Sequence, residues 1–189
     1  MRLVEIESLH RHPKADIIPP MRAGEWREFY ADIALRGIRV PIEVLGDGTI
    51  VDGHHRYRAA QELGMKKVPV DDAPLNGDDP FLYLCKAAVM RRHLTDGQRA
   101  ALAVYWIQEN KRPANQYTVN ASARRGAEAD PSPTRQIALE TFNVSRRAIT
   151  TASQIFHSDP QLLEKVHRVE TTLKGAVHQV RQRDDHKKI

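Results

Sequence analysis

The sequence holds a single cysteine, Cys85, so no internal disulfide can form and a disulfide-stapled secreted scaffold is excluded. No apolar run approaches the roughly 18 residues that a membrane-spanning helix needs. The opening stretch Met1-Arg2-Leu3-Val4-Glu5-Ile6-Glu7 carries acids and no long apolar segment, so no secretory leader is expected. Long-period repeats are missing as well. Metal-ligand spacing is also lacking. There are nine histidines, His10, His12, His54 and His55 among them, but adjacent histidines point apart on a helix and no cysteine or third histidine falls at ligand distance. These absences lead to the expectation of a cytoplasmic protein with no membrane partner and no metal site.

What is present is an ordinary globular composition, 41% hydrophobic and 28% charged over 189 residues, enough for one good-sized domain or two small ones. The charge is unevenly spread. Residues 1–84 carry 11 Lys+Arg against 14 Asp+Glu, a net of −3, whereas residues 85–189 carry 18 against 10, a net of +8. A polyanion such as double-stranded DNA would find its partner in the C-terminal part. The alternative is a solvated surface that is basic without a partner.

The apolar pattern divides along the chain in the same way. Leu3-Val4-Glu5-Ile6 reads as a short strand. Trp26, Phe29, Tyr30 and Ile33 recur at helical spacing before Gly37, a natural C-terminal cap. Val40 to Leu45 and Thr49-Ile50-Val51 read as strands across a Gly46-Asp47-Gly48 turn. Residues 54–63 suit a helix closed by Gly64. Val68-Pro69-Val70 reads as another strand, expected at a sheet edge because proline donates no ladder hydrogen bond. Asp79-Pro80 and the Thr95/Gln98 capping box then open helices, the second running to about Asn110. Residues 111–131 lose periodicity and read as a linker. Caps at Ser132, Ser145, Asp159 and Thr171 or Thr172 predict helices of about 8, 11, 10 and 12 residues. The expected organisation is an α/β module over 1–78, a helical segment over 79–110, the linker 111–131, a helical module over 132–183 and a tail over 184–189.

The densest chemical signal is Ile50-Val51-Asp52-Gly53-His54-His55-Arg56-Tyr57-Arg58-Ala59-Ala60. A strand ends, glycine permits a sharp turn, and a helix begins whose free N–H groups and dipole favour an anion. His54, His55, Arg56 and Arg58 crowd the same helix start, and arginine can fork two donors onto phosphate oxygens. The stretch reads either as a phosphate pocket or as an exposed helix start with Arg56 paired to an acid such as Asp52. A second signal runs from Arg135 to Ile149. A short helix, a tight turn at Asn143 and a helix capped by Ser145 read as a helix-turn-helix, or else as an ordinary helical hairpin. The second helix would enter the major groove, with Ser145, Arg146, Arg147, Thr150, Thr151 and Gln154 meeting phosphates or base edges. Leu139 departs from the motif, which places a small residue there. Leu162, Leu163, Val166, Leu173, Val177 and Val180 read as the core of this module.

The turn at Gly53 to Ala59, followed by Gly64 and Val68-Pro69-Val70, resembles the ParB/sulfiredoxin superfamily. Leu35-Arg36-Gly37-Ile38 with Val40-Pro41-Ile42-Glu43-Val44 fits the family's upstream pattern, and Met90-Arg91-Arg92-His93-Leu94-Thr95 resembles the start of its second helical part. The resemblance covers roughly residues 3–110. It implies an α+β fold, a small mixed α/β module followed by an all-helical module with a helix-turn-helix. It also implies a nucleotide-binding set of Gly53, His54, His55, Arg56, Arg58 and Arg91, with CTP or another nucleotide as ligand. Sulfiredoxin's reactive cysteine is replaced by His54, and Cys85 lies in an apolar stretch that reads as core, so sulfiredoxin chemistry is not expected. The partition proteins' Gly-Glu-Arg-Arg becomes Gly53-His54-His55-Arg56. Where that family carries a Glu-Asn pair associated with metal and hydrolysis, alignment on Arg91 and Leu94 puts Ala87 and Ala88, so Mg²⁺ has no assigned carboxylate and weak or absent triphosphatase activity is expected.

The expected function is DNA binding, in plasmid or phage partition or in transcriptional control, with the nucleotide pocket biasing the linked helices. A homodimer is compatible with the resemblance. Chromosomal partition proteins carry a further dimerisation domain for which this chain has no length, which shifts the expectation toward a small regulator. The alternative is a nucleotide-dependent phosphotransferase or triphosphatase of the same superfamily, with His54 or His55 as general base.

Overall fold

Short β-branched runs alternating with capped helices give the first half of the chain a mixed sheet. The computed structural model describes residues 1–90, 94–110 and 133–186, and the chain divides into two units, Met1–Arg92 and His93–Ile189. The first unit contains five strands: β1 (Arg2–Glu5), β2 (His10–Arg11), β3 (Ile42–Val44), β4 (Thr49–Asp52) and β5 (Lys67–Asp72). Their order is β1-β5-β3-β4-β2, with antiparallel β1/β5 and β3/β4 pairs and parallel β3/β5 and β2/β4 pairs. Helices α1 (Ala23–Arg36), α2 (His54–Glu62) and α3 (Pro80–Met90) complete the unit. Leu9, Ile42, Val44, Ile50, Tyr57, Ala60, Val68 and Val70 form one buried cluster beneath the sheet and α2.

The local signals hold where side-chain chemistry fixes them. Gly37 ends α1 at φ 70°, its N–H donating to Ile33 O. Gly48 closes the β3–β4 hairpin at φ 87°, and a Cβ there would lie 2.5 Å from Ser8 O, so only glycine fits. Asp79 caps α3 by accepting from the N–H groups of Phe81 and Leu82.

The expected edge position of Val68-Pro69-Val70 does not hold, because β5 lies inside the sheet between β1 and β3. Val68 and Val70 are fully buried. Burying two valines contributes about 3–6 kcal/mol, against about 1 kcal/mol for the ladder hydrogen bond that Pro69 cannot donate. Packing therefore overrides the proline. The two-residue strand β2 carries no periodicity that a sequence pattern could reveal.

The second unit is helical in its described residues: α4 (Asp96–Glu109), α5 (Pro133–Phe142), α6 (Arg146–Ser158), α7 (Pro160–His167) and α8 (Leu173–His186). Thr95 and Gln98 form the predicted capping box of α4. That helix buries an alanine-rich face, Ala100 to Val104 with Trp106, against α5, α6 and α7. The small side chains allow close helix approach, and Gly97 is close to the limit, since a Cβ there would meet Val166 Cγ1 at 3.0 Å. Asn143 turns the chain at φ 46° between α5 and α6, and Ser145 Oγ accepts from Ala148 N–H. Asp159 caps α7 and Thr172 Oγ1 accepts from Gly175 N–H at the start of α8. The sequence-expected cap Ser132 and linker 111–131 lie outside the described residues. Leu162, Leu163 and Val166 are core, as expected. Leu173, Val177 and Val180 are only half-buried, and Ala176 is the α8 residue that reaches full burial. The α8 apolar stripe is thus shared between core and surface.

Candidate functional site

Strand β4 delivers the chain to Asp52, and Gly53 then adopts φ 94°, a left-handed conformation that turns it directly into α2. The first intrahelical bond runs from Tyr57 N–H to Gly53 O. The amides of His54, His55 and Arg56 therefore precede the helical ladder, at the positive end of the helix dipole.

Gly53, His54, His55 and Arg56 line one cavity of about 330 Å³ together with Asp52, Ile18, Met21, Phe29, Val40, Leu84, Ala87 and Ala88. The four central members of the sequence-predicted nucleotide set are brought together there. Arg58 is not among the lining residues. Its guanidinium lies over the Trp26 ring, 4.2 Å from the centroid, and its Nε donates to Glu62 Oε1 at 2.8 Å. Arg91 lies outside the described residues.

Arg56 is engaged within the protein. Its Nη2 donates to Asp52 Oδ2 at 2.6 Å, and its Nη1 donates to the carbonyls of Val40 and Pro41 at 2.9 and 2.8 Å. The side chains of Arg56 and Asp52 are 13% and 15% exposed, so this ion pair is largely withdrawn from solvent. The guanidinium clasps the turn before β3 to the end of β4. It closes over Gly53, where an added Cβ would sit 3.0 Å from it.

His54 is 8% exposed, and neither ring nitrogen has a hydrogen-bond partner. Burial is the main force that lowers its pKa, to about 3, with the positive charge of Arg11 and the rings of His55 and His12 adding to it and Asp16 opposing. The imidazole is neutral at ordinary pH, with one donor and one acceptor unspent. Cys85 is fully buried and its thiol is pushed well up by burial, so it behaves as a core residue.

The second unit presents a groove of about 1020 Å³ along α6 and α8. All six sequence-predicted DNA-contact residues, Ser145, Arg146, Arg147, Thr150, Thr151 and Gln154, line it. Thr150 Oγ1 accepts from Arg135 Nη2 and donates to Arg146 O, so its hydroxyl is already engaged. Sequence reasoning missed Lys174 and Arg181, which line the same groove from α8 beside Leu173 and Val177. Their spacing of seven puts both on one helix face, which is the signal that could have found them. The walls of the first cavity were also missed, except that Ala87 and Ala88 had been aligned to that site.

Among the described residues no group of three or more His, Cys, Asp or Glu could hold a metal ion, and no helix is long and apolar enough to cross a membrane.

No protein-family model and no curated protein matches the sequence significantly. Solved structures do. A Pnob8-like ParB-N domain in a C2221 crystal form matches with TM-score 0.59 and 17% identity, over 93% of this chain and 77% of that one. A second structure of the pNOB8-like ParB N-domain matches with TM-score 0.54 and 16% identity, over 93% and 72%. The chain therefore has the α+β fold of the ParB N-domain. A C-terminally truncated chromosome-partitioning protein ParB from Caulobacter crescentus complexed with CTP-gamma-S matches at 20% identity over 95% and 91% with TM-score 0.40.

Proposed function

We propose that this chain is a ParB-like DNA-binding protein, acting in plasmid or phage partition or in transcriptional control, with a nucleotide-phosphate pocket at the Asp52–Arg58 turn. The observation that carries the reading is the α6–α8 groove, which gathers Arg146, Arg147, Lys174 and Arg181 with Thr151 and Gln154. Cations neutralise phosphates, and the Thr and Gln side chains can reach base edges. We read α5, the Asn143 turn and α6 as a helix-turn-helix whose second helix presents this groove to the duplex. The basic excess of residues 85–189 supports the same assignment.

Fluorescence anisotropy with labelled duplexes tests it. Arg146→Ala with Arg147→Ala is expected to weaken binding and to flatten the dependence of log K on log salt by up to about two units. An unchanged slope would mean that those arginines touch no phosphate.

For the pocket, the amides at the start of α2 and the unpartnered His54 support an anionic ligand such as a nucleotide phosphate, with CTP or another nucleotide as the source. Hydrolysis is expected to be weak or absent, because Leu84, Ala87 and Ala88 on the facing wall carry no side-chain oxygen to hold Mg²⁺ or orient water. A phosphate-release assay with Mg²⁺ and saturating CTP, with and without duplex, is expected to give no turnover above background. The phosphotransferase alternative gains no support from His54, whose low pKa makes it a weak base at neutral pH.

A further inference from the structure

We propose that the cavity at the start of α2 takes a ligand bearing one phosphoryl group on an apolar or aromatic body, a nucleoside monophosphate in chemical class, rather than a metal-bound triphosphate. The proposal rests on the reading above that the residues from Gly53 to Arg56 hold a nucleotide's phosphate.

The charge of the lining decides first. Its carboxylate and its guanidinium belong to Asp52 and Arg56, and these two neutralise each other at 2.6 Å. Arg56 also gives Nη1 to two backbone carbonyls, so a ligand would have to break the clasp to recruit it. Among the described residues, what remains for an anion beside the two histidines is the run of leading amides on a nine-residue helix, equivalent to about half a positive charge. That complements one phosphoryl group. A triphosphate brings several negative charges into a largely apolar cavity, and needs cations or a divalent metal to be matched there. The facing wall offers neither, since it is Leu84, Ala87 and Ala88.

His54 supplies the second argument. His54 lines the cavity, and its two ring nitrogens are buried without partners, a cost that a ligand reaching them would remove. A neutral imidazole donates from one nitrogen and accepts at the other. A phosphate monoester near neutral pH offers both P–O⁻ acceptors and, in its monoanion, a P–OH donor, so it can satisfy either nitrogen. Burial keeps the ring neutral, so His54 itself adds no positive charge for a triphosphate.

The remaining walls fit the body of such a ligand. Phe29 provides an aromatic face, and Val40 and Leu84 provide aliphatic ones. A volume of about 330 Å³ is at the small end of ligand sites, which suits one ring system and one phosphate.

Isothermal titration of the full chain with CMP, CDP and CTP, then with the adenosine and guanosine series, each with Mg²⁺ and with EDTA, tests the proposal. Monophosphates are expected to bind at least as tightly as the matching triphosphates, with Mg²⁺ changing their affinity by less than twofold. Ala88→Leu, which fills the cavity from α3, is expected to abolish binding while the thermal transition persists. His54→Gln is expected to weaken the monophosphate at least tenfold. Affinity that climbs tenfold with each added phosphate, or that appears only with Mg²⁺, overturns the single-phosphoryl assignment and leaves the pocket reading standing. No binding by any nucleotide overturns the pocket reading itself.

Discussion

Arg56 and His54 are neighbours on one helix turn with opposite situations, and each situation can be tested. The guanidinium of Arg56 has its partners inside the fold, so its first effect is on stability. Arg56→Ala would remove the donor that the largely buried Asp52 carboxylate and the Val40 and Pro41 carbonyls share. Breaking a buried pair in this way is expected to destabilise the protein by about 2–4 kcal/mol, allowing for the residual exposure of both side chains. Urea denaturation of the wild type and the variant measures this, and a loss below about 0.5 kcal/mol would show that the clasp is unimportant. Arg56 was legible in the sequence as a cation at a helix start. Its partners were not, because residues 40 and 41 reach it only through the fold.

His54 gives a pH dependence whose sign follows from its low pKa. Unfolded, the ring titrates near 6.5; folded, near 3. Between these values the unfolded chain binds the extra proton, so stability is full above pH 6.5 and falls as the pH drops toward 3. At pH 5 this amounts to about 2 kcal/mol relative to neutral pH. The groups that set the shift are burial, Arg11, His55 and His12, with Asp16 opposing, so each stays in place when His54→Gln removes the titration. Denaturation midpoints of the two proteins are expected to diverge below pH 6.5. Parallel pH profiles would contradict the burial of the ring.

At the scale of elements, caps and turns were legible because they depend on side chains within three or four residues. Thr95/Gln98, Asp79, Asp159 and Ser145 all cap where the sequence places them. Ser145→Ala is expected to cost about 1 kcal/mol, read by urea denaturation, and also to weaken DNA binding by fraying the first turn of α6. Gly53→Ala is a stronger test of the turn. It would force a left-handed backbone on alanine and press its Cβ against the Arg56 guanidinium, for a cost of about 1–3 kcal/mol. What escaped the sequence is what long-range pairing decides. The two residues of β2 carry no period, and β5 is interior because Val68 and Val70 are buried on both sides of a proline. The α8 stripe read as pure core for the same reason. Its hydrophobic spacing is helical, but which half faces α6 across an open groove is a tertiary fact.

At the scale of the molecule, an α/β unit without net charge is joined to a basic helical one. The charge division between residues 1–84 and 85–189 was plain in the sequence, and the structure gathers part of the basic excess along one groove. Among the described residues four cations line that groove: Arg146, Arg147, Lys174 and Arg181. If each displaces one condensed counterion, log K for duplex DNA falls with log salt at a slope of about −3.6. The most direct measurement is the affinity of the full chain for a duplex across a salt series. The account predicts binding at low salt with a slope between about −3 and −4, and a loss of about one unit on Lys174→Ala or Arg181→Ala. A flat salt dependence, or no binding at low ionic strength, would contradict it.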